Sequence, residues 1–159
     1  MTVTKVAFET LVVPLRTDLA HADRHVKTLS KWTDAAPVGS ETYEAATLLH
    51  HLYSAIEAIA ERSLKVLDGH IPTGEDSHTQ LLQQASSAVE GIRGPILPSD
   101  VVIEKLRRFR HRFRKRYEDD LEPAHLSSLI KDTMAAWPRI REHIVGFAAF
   151  VDECARVAR

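Results

Sequence analysis

LRRFRHRFRKRY, Leu106 to Tyr117, places seven Arg or Lys among twelve residues, with two Phe and a closing Tyr between them. With Lys105 added, residues 105–116 carry eight positive charges; the whole chain of 159 residues carries −1, so the rest carries −9. At about 100° per residue, Val102, Leu106, Phe109, Phe113 and Tyr117 fall on one stripe about 80° wide. That spacing predicts a helix with one buried edge, and it makes the two Phe core residues rather than base-stacking platforms. Arg110, Arg114 and Tyr117, at i, i+4 and i+7, line a ridge beside the stripe. His111 and Lys115 are four apart and lie on the far side of the helix from the Phe stripe.

The rest of the chain also reads as helix. Apolar residues recur at three- and four-residue steps, and no alternating strand pattern appears. A first helix is expected over residues 5–31, kinked or started by Pro14. The stretch 36–40 is a turn, with Ser40 placed to cap a second helix. That helix carries Leu49, Leu52, Ile56, Ile59 and Val66 on one side and ends at Asp68-Gly69, where Gly69 suits a left-handed C′ position. A shorter helix is expected near 77–89, with Ser77-His78 after Glu75-Asp76 reading as its cap. GIRGPILPSD (91–100) is a connection, and its Pro98-Ser99-Asp100 opens the basic helix. Pro123 suits the first turn of a last helix. That helix presents Leu126, Leu129, Met134, Trp137, Ile140, Ile144, Phe147 and Val151 at core spacing, with a bend at Pro138. The fold expected is all-α: an up-and-down bundle of about five helices, forming a single domain over residues 1–159.

Composition narrows the class further. The 44% hydrophobic content supports a core, and six Gly with seven Pro do not make a disordered chain. The single cysteine, Cys154, excludes an internal disulfide framework and suggests a reducing compartment. The N-terminus lacks the pattern of a signal peptide, and no apolar run is long enough to span a membrane. A soluble cytoplasmic protein without a membrane association is expected.

Like charges four apart on a helix cost about 0.2–0.5 kcal/mol a pair, and Glu would serve helix propensity equally well. The basic block therefore points to an anionic partner: nucleic-acid phosphate, a nucleotide or an acidic protein surface. Its alternative is a solvated face paired with Glu118, Asp119, Asp120 and acids elsewhere. Other clusters carry less. His21 and His25 are four apart near Asp18 and Asp23, but two solvated His on a helix face are commoner than a zinc site. His50-His51 point in different directions. Cys154 has no base beside it, and no Gly-rich phosphate loop is present. No metal or cofactor is expected.

The run LRRFRHRFRKRY resembles the signature helix of HEPN-domain proteins, specifically the HepT-like ribonuclease toxins. LLHHLYSAIEAIAER (48–62) is similar to that family's second helix, IPTGEDSHTQLL (71–82) to its loop before a Leu pair, and LEPAHLSSLI (121–130) to the opening of its last helix. The resemblance covers most of the chain from about residue 40. It implies a homodimer that cleaves RNA (tRNA or mRNA) without metal, at a cleft where the Arg helices of two copies face each other. It also implies neutralisation by an MNT-type nucleotidyltransferase antitoxin. The family motif is an Arg, four to six residues, a His, and a Tyr two further on. By position, Arg110 matches the Arg, and Tyr117 matches the Tyr that the partner modifies with AMP. The His position holds Lys115.

That departure bears directly on the chemistry. RNA cleavage without metal needs a base for the 2′-OH, an acid for the leaving 5′-oxygen and cations for the phosphorane. An imidazole near pKa 6.5 serves either proton-transfer role at neutral pH, whereas the Lys reference is near 10.4. The first reading is an endoribonuclease in which Arg110 clamps phosphate, His111 is acid or base, Lys115 is a transition-state cation, and Arg107 and Arg114 position RNA. The second is a catalytically degenerate HEPN domain, with Lys115 in the His slot, that binds RNA, nucleotide or the MNT partner without cutting.

Overall fold

The computed structural model describes residues 3–115 and 121–158, Lys115 by its backbone alone. Five α-helices lie among the described residues: α1 (Lys5–Leu29), α2 (Ser40–Leu67), α3 (Ser77–Ala85), α4 (Val101–Lys115) and α5 (Pro123–Val157). A 3-10 turn, Ser30–Trp32, extends α1. No strand occurs among the described residues, only an isolated bridge between Val89 and Arg93. No helix among them is long and apolar enough to cross a membrane.

Pairs of side chains set the helix directions. Asp18 meets Arg62, the His25 ring meets His51, and Lys31 meets Glu44, so α1 and α2 run antiparallel. Arg16 meets Asp152 while Asp23 meets Arg141, which makes α1 and α5 antiparallel as well. Asp100 with Arg139 and Lys105 with Asp132 give the same relation for α4 and α5. Glu57 meets Arg110 and His50 meets Phe113, so α4 also runs antiparallel to α2. The result is the expected up-and-down arrangement, with the short α3 resting on α2.

The apolar stripes converge where the spacing places them. Leu49, Leu52, Ile56 and Ile59 of α2 are fully buried. Leu126, Trp137, Ile140, Ile144, Phe147 and Val151 of α5 are buried too, and Leu129 and Met134 pack on the core's edge. Both α1 and α5 continue through their prolines, Pro14 and Pro138. Helix ends differ more from expectation. Ser40 is the first helical residue and not the cap; Gly39 holds the cap position at φ 57°. No side chain caps this end; Glu41 in the first turn reaches back instead to the segment before the helix. Its carboxylate accepts from the Val38 N–H at 3.1 Å and from the Trp32 Nε1–H at 3.2 Å. At the far end Gly69 takes φ 80° and its N–H donates to Leu64 O, as a C′ glycine does. Helix α3 stops at Ala85, four residues before the expected end.

Ala85 is where the loop into α4 takes over. Arg93, with its side chain fully buried, donates from Nε and Nη2 to the two carboxylate oxygens of Asp68, each at 2.7 Å. Its Nη1 and Nη2 also reach the carbonyls of Ser87, Gly94 and Gln84. One guanidinium thereby ties the end of α2 to the connection that delivers α4. Removing one member of a buried pair leaves an uncompensated charge, so Arg93→Ala is expected to cost about 3–5 kcal/mol in urea unfolding. The Arg93 hydrogen bonds hold the Asp68 carboxyl below its ordinary range. A depressed folded value contributes stability that is full above about pH 4 and is lost as pH falls through that value. The stability gap between natural and Arg93→Ala chains should therefore narrow on titration towards pH 3.

Candidate anion-binding site

Helix α4 starts on Asp100, whose Oδ1 accepts from the Val102 N–H at 2.9 Å while Oδ2 accepts from Arg139 Nε at 2.6 Å. The helix then buries Val102, Ile103, Leu106 and Phe113. Phe109 is partly buried and stacks on Phe113 with ring centroids 5.8 Å apart. The two Phe are therefore packing residues, as their stripe predicts.

Part of the positive charge is matched inside the molecule. Glu104 takes Arg107 at 2.6 Å and Arg108 at 3.2 Å, and Asp132 takes Lys105 at 2.9 Å. Arg112 and Arg114 are exposed and make no ion pair among the described residues. The solvated-face alternative thus accounts for the first turns of α4; the acids it sets against the last turn, Glu118, Asp119 and Asp120, lie outside the described residues.

The decisive partner is Glu57 of α2, a buried carboxylate with 9% of its side chain exposed. Its Oε1 accepts from Arg110 Nη1 at 2.9 Å, and its Oε2 accepts from His78 Nδ1 at 2.7 Å. Tyr53, one turn before Glu57, lies under the Arg110 guanidinium, with Cζ 5.5 Å from the ring centre. Among the described residues its hydroxyl is buried without a hydrogen-bond partner, as is Arg110 Nε. Burial, reinforced by the nearby Glu57 carboxylate, pushes the Tyr53 phenol far above its ordinary range, so it stays neutral. Burial and the Arg110 charge together push the His50 imidazole below its ordinary range.

Tyr53, His78, Arg107, Arg110, His111 and Arg114 line one open cavity of about 310 Å³. Four of the six residues singled out from the sequence are therefore brought together: Arg107, Arg110, His111 and Arg114. Lys115 closes α4 one residue beyond Arg114, and its side chain lies outside the described part of the chain. Tyr117 lies outside the described residues altogether. The cap position of α3 falls within the stretch 75–78, at Asp76, but without a side-chain bond, and the His78 imidazole turns to Glu57.

A larger groove of about 450 Å³ lies between α4 and α5, floored by Phe109, Leu126 and Leu129. Glu122 and Asp132 share its rim with the cations, so it suits an anion less well than the smaller cavity, whose lining carries no carboxylate. The other histidines gather without a metal set. His25, His50 and His51 meet ring to ring, closer than their helix directions suggest, at centroid distances of 5.6 and 5.7 Å. Asp18 and Asp23 turn to Arg62 and Arg141, and no cluster able to hold a metal occurs among the described residues.

A family model described as HepT-like protein matches residues 44–151, which takes in every residue lining the cavity and leaves out α1. No curated protein and no solved structure matches the chain.

Proposed function

The chain belongs to the family of HepT-like proteins, and we propose that it is the toxin of a toxin–antitoxin pair, an endoribonuclease that cleaves RNA without metal at the Arg110 cavity. The observation that carries this reading is the convergence of Arg107, Arg110, His111 and Arg114 on one cavity. Three guanidiniums that cannot lose their charge bind a phosphodiester and the extra negative charge of its phosphorane. Arg110 is the most constrained of them. Glu57 holds Nη1 and Tyr53 supports the guanidinium face, so the Nη2 edge meets the phosphate with little left to order. Arg107, braced by Glu104, and Arg114, which makes no ion pair among the described residues, hold the flanking backbone. His111, exposed at the cavity, exchanges a proton with the reacting oxygens.

Two copies placing their α4 helices across one cleft would double this charge, and an MNT-type nucleotidyltransferase would silence it by covering the cleft or by adding AMP to Tyr117. Incubation with such a partner and ATP should then add AMP to the natural chain and not to Tyr117→Phe, read by intact mass. RNA binding should weaken steeply with salt, by about 0.7 log units of affinity per decade for each single-strand phosphate neutralised. Arg114→Ala should flatten that slope by about one such step.

A second reading is favoured by one residue, Lys115 in the motif His position. A non-cutting domain would bind RNA with the same salt slope, and Lys115→His would create cleavage that the natural chain lacks. Cleavage of RNA in EDTA by the natural chain, dependent on Arg110, separates the two.

A further inference from the structure

Given the ribonuclease reading, on which this inference rests, we propose that His78 of α3 supplies the catalytic imidazole that the basic helix lacks at position 115. One buried carboxylate joins it to the arginine. Glu57 accepts from His78 Nδ1 at 2.7 Å and from Arg110 Nη1 at 2.9 Å, so the two cavity groups are fixed as a unit. A carboxylate only accepts, which assigns the proton of the neutral imidazole to Nδ1 and leaves Nε2 with a bare lone pair. Nε2 makes no hydrogen bond within the described chain, and the side chain is 42% exposed on the cavity that Arg110 lines. A base held by a carboxylate behind it and open in front is the general arrangement for taking a proton from a hydroxyl. Among the described residues His111 has no such carboxylate; it stands exposed on the same cavity.

The step balances with these two groups. Nε2 of neutral His78 takes the 2′-OH proton as the 2′-oxygen bonds to phosphorus. The bond from phosphorus to the 5′-oxygen breaks, and that oxygen takes a proton from the His111 imidazolium. The products are a 2′,3′-cyclic phosphate and a 5′-hydroxyl. His78 leaves the step protonated and His111 neutral, and exchange with solvent resets both. Arg110 stabilises the phosphorane and transfers no proton.

His78→Asn tests the assignment, because the Asn amide can still donate to Glu57 as Nδ1–H does but offers no base in place of Nε2. The natural chain, His78→Asn and His78→Ala are incubated with end-labelled total tRNA, and binding is measured on a 2′-O-methyl oligoribonucleotide that cannot be cut. The expected result is a loss of cleavage of at least about 10²-fold in both variants, binding within about threefold of the natural chain, and partial rescue of His78→Ala by free imidazole. Cleavage by His78→Asn at the natural rate overturns the assignment and leaves the ribonuclease reading standing. Binding lost in step with cleavage overturns it too, since His78 would then be a positioning residue. A natural chain that cuts no RNA overturns both.

Discussion

Arg110→Ala is expected to lower RNA cleavage about 10²–10³-fold, the loss typical when one preorganised donor to a developing oxyanion is removed. Arg110 meets that description through its neighbours. Glu57 fixes Nη1, the Tyr53 ring supports the plane, and only 17% of the side chain is exposed. A guanidinium already ordered in the free protein stabilises the phosphorane without a reorganisation cost at the moment of reaction. Arg110→Lys keeps a charge for Glu57 and loses the planar fork, so it should fold like the natural chain yet remain well below its rate. Cleavage rates at saturating RNA, taken with melting temperatures, check both variants. A Lys variant at full rate would reduce Arg110 to a point charge.

Glu57→Ala is expected to cost about 3–5 kcal/mol of stability, the usual result of breaking a buried ion pair from one side. It strands the Arg110 guanidinium, whose Nε already lacks a partner among the described residues, and it releases His78. The magnitude is read from urea unfolding. A double variant separates stability from function. Glu57→Leu with Arg110→Met removes both charges and substitutes apolar groups, so most of the lost stability should return while cleavage does not. Failure of the double variant to recover stability would mean that Glu57 is held mainly by its His78 bond. In that case His78→Ala alone should be as destabilising as Glu57→Ala.

The helices were legible because their apolar residues repeat at 3.6-residue spacing, and most of the α4 and α5 stripe residues are buried, with Phe109, Leu129 and Met134 at the core's edge. Their ends were less so. Ser40 does not cap α2, and Glu41 instead binds the segment before the helix, because Val38 and Trp32 offer it donors and Trp32 arrives from the preceding 3-10 turn. In the candidate site the Arg ridge was legible, since it lies on one helix. Glu57 and His78 were not singled out, because their partners lie 53 and 21 residues away in sequence and meet only once α2, α3 and α4 have packed. A signal for Glu57 was nonetheless present. It shares the α2 stripe with Leu49, Tyr53, Ile56 and Ala60, all fully buried, and a carboxylate on such a stripe requires a buried cation. His78 carried no comparable mark, standing in a polar loop sequence that reads equally well as a cap.

The measurement that tests the central claim most directly is cleavage of end-labelled total tRNA by the purified natural chain in EDTA, run beside Arg110→Ala. The account predicts fragments ending in 2′,3′-cyclic phosphate, formed with the chelator present and reduced at least about 10²-fold by the substitution. Silence from the natural chain, cleavage that survives Arg110→Ala, or cleavage abolished by EDTA would contradict it.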